Sequence, residues 1–124
     1  MTPERPLVLV ADDDEDILSL VGAALGKAGY AVTRATNGAQ ALEQVRTLRP
    51  CVAVLDVAMP ELDGMEVLRL VRADPATADL PVILLTARAQ EEDARRAYAE
   101  GASKYVRKPF SPRELVGLVR ELAA

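Results

Sequence analysis

Acidic, basic and hydroxyl side chains follow four of the apolar runs in this 124-residue chain. Asp12 and Asp13 follow the first run, Asp56 the third, Thr86 the fourth and Lys108 the fifth. Three carboxylates brought together need a cation among them, because two unit charges about 4 Å apart repel by roughly 4 kcal/mol at an effective dielectric near 20. Oxygen ligands of this kind suit Mg²⁺, which keeps several waters and readily shares itself with a phosphate.

A site of this composition is suited to phosphoryl chemistry. An aspartate carboxylate is a nucleophile that can accept a phosphoryl group covalently. An ammonium and a hydroxyl bind phosphoryl oxygens through charge and hydrogen bonds. The residue types therefore predict a divalent cation site that presents one carboxylate as a nucleophile.

Strand-like runs alternate with helix-like stretches and must position these side chains. The predicted strands are Leu7–Ala11, Tyr30–Ala35, Cys51–Leu55, Val82–Leu85 and Lys104–Val106. The first, third and fourth are continuously apolar, as in strands buried on both faces of a parallel sheet. The second and fifth contain charged residues and are predicted to be edges. Since sites in such sheets form beyond the carboxyl ends of the strands, the polar residues converge if strands one, three, four and five are neighbours.

Capping signals mark the beginnings of the helices. Asp14 is a plausible N-cap for the first helix, and the second begins near Gly38. Asp63 and Glu66 have the spacing of a capping box at the start of the third. Ser111, followed by a proline at the first helical position, opens the fifth.

The fourth helix has a weak apolar face. It is predicted roughly over Ala89 to Glu100 and offers mostly alanines plus Tyr98 to bury. We therefore expect loose docking and mobility in this helix.

The overall composition bounds the class of protein. Half of the residues are hydrophobic and the net charge is -4, which predicts a folded single domain over residues 1–124 without a general attraction to nucleic acid. The chain has no histidine, which excludes histidine-based acid–base catalysis. No apolar run approaches about 20 residues, so we expect no membrane insertion. The single cysteine, Cys51, is predicted to be a small buried residue in a reducing, cytoplasmic environment.

Most of these polar residues also have a simpler interpretation when they are taken alone, but Asp56 fits one less easily because it directly ends a buried strand. Asp14, Glu15 and Asp16 fit capping groups that complement the dipole of the first helix. Asp12 and Asp13 alone fit either that interpretation or cation binding. Thr86 alone is typical of a hydroxyl at a strand end, and Lys108 alone of a solvated lysine. The coincidence over four strands favours a site.

Several segments together resemble the receiver domain of bacterial response regulators. They are VADDDEDI after strand one, NGAQAL at helix two, LDVAMPELDGMEVL across strand three and helix three, PVILLTA through strand four and GASKYVRKPF through strand five. Any one of them is a weak signal, whereas all five in order are specific. The resemblance implies an α/β fold, a doubly wound five-stranded parallel sheet of order 2-1-3-4-5, the flavodoxin-like (βα)5 arrangement.

The resemblance also implies roles for individual residues. Asp56 would be the phosphoacceptor, and Asp12, Asp13 and Asp56 with the backbone carbonyl of Ala58 would bind Mg²⁺. Thr86 would bond a phosphoryl oxygen. Lys108 would form an ion pair with the phosphoryl group.

Three further positions follow from the same resemblance. Tyr105 would be an aromatic switch whose rotamer follows Thr86, although Tyr105 and Tyr98 also fit ordinary packing. The Lys108–Pro109 bond would be cis. Ala58 and Arg88 occupy positions that vary in the family and influence how long the phosphoryl group lasts.

The function implied is a two-component phosphorelay switch rather than an enzyme with an external substrate. A histidine kinase or phosphotransfer protein would donate the phosphoryl group, and the face formed by helix 4, strand 5 and helix 5 would bind a downstream protein. The domain would catalyse its own phosphorylation and dephosphorylation, act as a monomer or a weak phosphorylation-dependent dimer, and make no direct contact with nucleic acid.

Three alternatives remain at this point. The chain could be the receiver half of a longer DNA-binding transcriptional regulator, although its initial Met and its end just after helix five lead us to expect a stand-alone regulator. An aspartate-nucleophile phosphatase would carry a second acid two residues after Asp56 and an additional cap segment. A phosphorylation-independent interaction module would not need the complete acidic set.

Overall fold

Strands and helices alternate along the whole described chain. The computed structural model describes residues 5–87 and 90–123. Its elements are β1 Leu7–Ala11, α1 Glu15–Lys27, β2 Ala31–Ala35, α2 Gly38–Leu48, β3 Val52–Asp56, α3 Gly64–Ala73, β4 Val82–Thr86, α4 Glu91–Ala99, β5 Lys104–Arg107 and α5 Pro112–Ala123.

The five strands form one parallel sheet in the order β2-β1-β3-β4-β5, which confirms the predicted topology. The predicted edges, β2 and β5, are the observed edges. The bounds differ slightly from the predicted ones. β2 and β3 begin one residue later, and β3, β4 and β5 each extend one residue further. The extensions bring Asp56 and Thr86 into the hydrogen-bonded ladder, so both side chains inherit the geometry of the sheet.

The core is divided into two layers by the sheet. Successive strand residues point to opposite faces, so Val8 and Val10 face one layer while Leu9 and Ala11 face the other. Helices α1 and α5 pack on the first face, through residues such as Leu18. Helices α2, α3 and α4 cover the second. Every residue of β3 and β4 is buried, as their continuous apolar sequences predict.

The predicted helix caps are present. The Asp14 side chain accepts a hydrogen bond from the Asp16 backbone N–H at 2.9 Å. Asp63 and Glu66 form the reciprocal capping box. Ser111 Oγ accepts from the Glu114 N–H at 3.4 Å. These contacts fix where each helix leaves the carboxyl edge of the sheet.

Helix α4 is attached to the domain mainly at its carboxyl end. Its N-cap, Gln90, makes no side-chain capping bond, and Ala97 is its one buried residue among those described. Beyond α4, the Gly101 carbonyl accepts two bonds from the Arg72 guanidinium, at 3.0 and 2.8 Å. Arg69 of α3 pairs with Glu100 at 3.3 Å.

The prediction that Tyr98 would be buried is wrong, since this residue is 49% exposed. Its hydroxyl accepts a hydrogen bond from the Tyr105 backbone N–H at 3.1 Å, so the side chain reaches the edge strand β5 while it stays half exposed. The predicted helix start at Ala89 lies outside the described residues. Mobility of α4 stays a prediction.

Glutamine side chains of α2 bond to β2 and to the residue that follows it. Gln44 donates to the Arg34 carbonyl at 2.8 Å and accepts from the Thr33 hydroxyl at 2.8 Å. Gln40 accepts from the Thr36 backbone N–H at 3.0 Å.

Within residues 5–87 and 90–123, no helix has the length and apolar character needed to cross a membrane.

Gly64, the first residue of α3, lies against the backbone at the end of β3. Adding a side-chain atom there tests how closely α3 must pack on the strand. A Cβ at this position would collide with the Asp56 carbonyl and lie 3.0 Å from the Val57 Cα. We expect Gly64→Ala to lower the free energy of unfolding by about 1–3 kcal/mol, because the backbone must shift. Gly117→Ala in α5 is the matched control, since nothing lies within 4 Å of its added Cβ. The control should raise stability by about 0.5–1 kcal/mol in urea unfolding, and equal effects of both substitutions would contradict the account.

Candidate phosphoryl-transfer site

Asp12 is the buried acid at the carboxyl end of β1. Its residue is 0% exposed. Its backbone N–H donates to the Ala35 carbonyl at 3.0 Å. Its Oδ1 accepts from the Asp14 N–H at 2.9 Å, and its Oδ2 accepts from Lys108 Nζ at 3.0 Å. Both carboxylate oxygens are therefore held in fixed directions.

Asp56 lies beside Asp12 because β1 and β3 are neighbours in the sheet. Asp56 is 4% exposed, and its Oδ1 lies 3.2 Å from Lys108 Nζ. The Lys108 backbone N–H donates to the Thr86 carbonyl at 2.7 Å, which fixes the start of the loop after β5. The Lys108–Pro109 bond is cis, as predicted.

Asp13 completes a group of three carboxylates. One oxygen from each of Asp12, Asp13 and Asp56 lies within 4.8 Å of the others. Asp13 is exposed, whereas the other two are buried. The group thus has two fixed acids inside and one acid at the solvent boundary, and carboxylate oxygens at this spacing fit a hard divalent cation.

The pKa of Asp56 is raised to about 6. Burial is the main cause, the Asp12 charge adds to it, and the Lys108 ammonium opposes it. The pKa of Lys108 is also raised: burial alone would lower it, but the hydrogen bond and charge of Asp12 and the charge of Asp56 outweigh that effect. Lys108 therefore stays charged, and Asp56 is ionised at neutral pH but at a cost in free energy.

Thr86 and Tyr105 lie beside this group along a groove of about 390 Å³. Ala58 lines the same groove and is exposed. Thr86 is 3% exposed at the end of β4, and Tyr105 packs partly against the core. The predicted site residues thus fall into two adjoining sets, the charged set Asp12, Asp13, Asp56 and Lys108, and the groove set Ala58, Thr86 and Tyr105.

Two arginines of the groove were missed in the sequence. Arg69 of α3 and Arg96 of α4 line it from opposite helices, together with Asp63 and Asp93. The spacing in the sequence could have indicated Arg69, because it lies four residues after Met65, which also lines the groove, and so shares its helix face. Arg88, noted for phosphoryl lifetime, lies outside the described residues.

The raised pKa of Asp56 yields a pH dependence of stability in metal-free protein. The unfolded carboxyl, near its usual 3.8, loses its proton before the folded one, near 6, so stability falls as pH rises through this window. Asp56→Asn removes this loss. We expect the variant to gain stability over the parent between pH 4 and pH 7, by up to about 3 kcal/mol.

The measurement is urea unfolding with a chelator at several pH values. The test uses only the part of the stability difference between Asp56→Asn and the parent that changes with pH. The amide also changes the contacts of Lys108, which adds a difference that does not depend on pH. Asp16→Asn removes an exposed carboxylate in α1 and serves as control. A difference between Asp56→Asn and the parent that stays constant over the window would contradict the raised pKa.

Known proteins share both this sequence pattern and this architecture. RpaA of Synechocystis sp., a DNA-binding dual master transcriptional regulator, is 38% identical over 117 residues, which make up 94% of this chain and 48% of that protein. A 14.6 kDa protein of Leptolyngbya boryana is 43% identical over 114 residues, covering 92% of this chain and 87% of that protein. The chain spans about half the length of the DNA-binding regulators that it matches.

The chemotaxis response regulator CheY4 of Vibrio cholerae has a similar solved structure. Its TM-score is 0.89 at 31% identity, with 96% of this chain and 99% of that chain covered. The model of the family described as the response regulator receiver domain matches residues 8–120. This match includes every residue of the charged and groove sets, and the chain belongs to the response regulator receiver domain family.

Proposed function

We propose that this domain is a phosphorylation-dependent signalling switch in the cytoplasm. A histidine kinase or phosphotransfer protein donates a phosphoryl group to Asp56 in a Mg²⁺-dependent reaction. The observation that carries the proposal is the meeting of three carboxylates and the Lys108 ammonium at neighbouring strand ends. Membership of the receiver family supports a kinase as the donor.

The cation has a ligand set of suitable chemistry. Asp12, Asp13, Asp56 and the backbone carbonyl of Ala58 would hold Mg²⁺, which when bound supplies positive charge that offsets the charge of the transferring group. The bonds from Asp14 and Lys108 keep the Asp12 carboxylate in place while this happens. Asp13, being exposed, is the acid that can rearrange most easily around an entering ion.

Asp56 is the nucleophile of the transfer step. One of its carboxylate oxygens attacks the phosphorus of the partner's phosphohistidine in line, so that an O–P bond forms and the P–N bond breaks. The imidazole leaves with the electron pair of the broken bond. The histidine must come from the partner, because this chain contains none.

The switch begins with the change of charge at Asp56. A phosphoryl group brings further negative charge and acceptor oxygens to a place where Lys108 is already paired with two carboxylates. Lys108 and the Thr86 hydroxyl turn toward it, and Tyr105 changes its packing along the groove. These movements shift a two-state equilibrium of the face formed by α4, β5 and α5, which then binds a protein target.

The domain is in this proposal a phosphoacceptor that catalyses its own phosphorylation and dephosphorylation, and not an enzyme acting on external substrates. A second candidate is that it is the receiver part of a DNA-binding transcriptional regulator. The observation that favours it is that the chain spans about half the length of RpaA and of another DNA-binding response regulator that it matches. In that case the switched face would control a following domain, and the chemistry at Asp56 would be unchanged.

Phosphorylation by a small donor tests the acceptor directly. With acetyl phosphate and Mg²⁺, the parent should gain one phosphoryl group in intact-mass spectrometry, and a chelator should abolish the gain. Asp56→Asn should gain none, because the nucleophile is absent. Asp16→Asn keeps the site and should behave as the parent. Unaltered Mg²⁺-dependent labelling of Asp56→Asn would refute the assignment.

Asp13 and Asp14 allow a matched test of the cation site, because each substitution to Asn removes one exposed charge from the same loop. Asp13→Asn should weaken Mg²⁺ binding by about tenfold, as a lost ligand does. It should also raise the melting temperature of metal-free protein slightly, because a repulsive charge is gone. Asp14→Asn should change Mg²⁺ binding little, since Asn caps a helix as well as Asp.

Titration calorimetry and thermal melting with a chelator provide the two measurements. If metal-free Asp13→Asn melts at a lower temperature than the parent, repulsion among the three carboxylates does not destabilise the metal-free protein as we expect. Equal weakening by the two substitutions would show that only net charge matters, and Asp13 would lose its role as a ligand.

A further inference from the structure

The loop of residues 57–63, between β3 and α3, is fixed at both ends. The Val57 N–H donates to the Leu85 carbonyl at 2.8 Å, and the Val57 carbonyl accepts from the Gly64 N–H at 2.9 Å. Met59 is 8% exposed and belongs to the core. Ala58, whose carbonyl is the proposed cation ligand, lies between these two anchored residues. Its orientation is therefore set by the path of the loop.

A second anchor comes from α2. The Gly38 N–H donates to the Pro60 carbonyl at 3.4 Å. The Gly38 Cα faces the Leu62 carbonyl so closely that a Cβ would collide with it. The start of α2 thus supports the loop at Pro60 and Leu62, on either side of one residue, Glu61.

Glu61 has a left-handed backbone, with φ at 69°. It is exposed, so no buried contact of its side chain accounts for this conformation. A residue with a Cβ adopts the left-handed region at a cost, and such strain persists where the surrounding structure imposes it. Here the imposing contacts are those of Pro60 and Leu62 with Gly38, because the chain must turn between them.

We propose that Glu61 is a positioning residue for the phosphoryl-transfer site. Its left-handed backbone closes the turn onto Gly38 and thereby orients the peptide of Ala58 toward the cation. The role belongs to the backbone at residue 61 and not to the carboxylate. This inference rests on the proposed function, since the Ala58 carbonyl matters only if the site binds a cation.

Three substitutions separate the backbone role from the charge. Glu61→Gly, Glu61→Asn and Glu61→Val each remove the same carboxylate. Gly and Asn adopt the left-handed region readily, whereas a β-branched residue there is a severe outlier. Magnesium affinity is measured for the parent and the three variants by following backbone amide chemical shifts during titration with MgCl₂. The metal-free shifts of residues 57–63 are compared in the same samples.

We expect the three variants to differ in Mg²⁺ affinity according to how readily residue 61 adopts the left-handed backbone, since all three lack the carboxylate. Glu61→Val should weaken Mg²⁺ binding about tenfold, and Glu61→Gly and Glu61→Asn should stay within about twofold of the parent. In metal-free protein, Glu61→Val alone should displace the amide shifts of Val57, Ala58 and Met59. A role in folding alone would lower the melting temperature of Glu61→Val and leave its Mg²⁺ affinity at a temperature well below melting unchanged.

Two other results would overturn the inference. Equal weakening by all three variants would assign the effect to the carboxylate, and no weakening by any of them would show that residue 61 does not orient the site. Failure of the parent itself to bind Mg²⁺ would instead overturn the cation step of the proposed function and, with it, the cation role given to Ala58.

Discussion

The Lys108 ammonium between the carboxylates of Asp12 and Asp56 is the interaction on which this domain depends. The two acids are buried, and each would repel the other at the carboxyl edge of the sheet. The lysine reaches them from the loop after β5, two strands away from β3. Because a buried charge without a partner is strongly destabilising, this contact ties distant strand ends together. It also leaves the acids incompletely neutralised, with two negative charges to one positive.

That incomplete neutralisation links the fold to its proposed chemistry. If the charges of Asp12 and Asp56 were fully neutralised, the site would have little affinity for a divalent cation. Without the Lys108 ammonium, burying both carboxylates in their charged form would cost much more free energy. The pKa of Asp56 is raised first by burial and then by the charge of Asp12, which Lys108 offsets only in part. The groove next to this edge is also lined by residues of α4, the helix with the fewest buried residues among those described, so a change of charge at Asp56 would occur near that helix. In the proposed function, the same arrangement of charges would govern both stability and switching.

Much of the fold and site was predictable from sequence because apolar runs mark where strands end. Asp56, Thr86 and Lys108 each follow such a run, and parallel strands place their carboxyl ends at one edge. The run of acids from Asp12 to Asp16 was harder to divide. Its members differ in burial and hydrogen bonding, which local sequence does not encode. Which of them would bind the metal was indicated by the family resemblance alone.

Other features depend on contacts between distant segments. The exposed ring of Tyr98 bonds to β5, and the backbone of Glu61 is turned by the contact between Gly38 and Leu62. Neither partner can be read from the neighbouring residues in the chain. The helix-face spacing of Met65 and Arg69 could have indicated the groove, but only once the position of α4 opposite α3 was known.

The glutamines of α2 have a consequence for assembly. An open edge strand presents unpaired amides and carbonyls to any other extended chain. At β2, Gln44 occupies the Arg34 carbonyl and Gln40 the Thr36 amide, so side chains stand where another strand would have to bond. Addition of a strand from a second copy would first have to displace them. This end of the β2 edge is thereby less open to strand addition than an edge without such side-chain bonds would be.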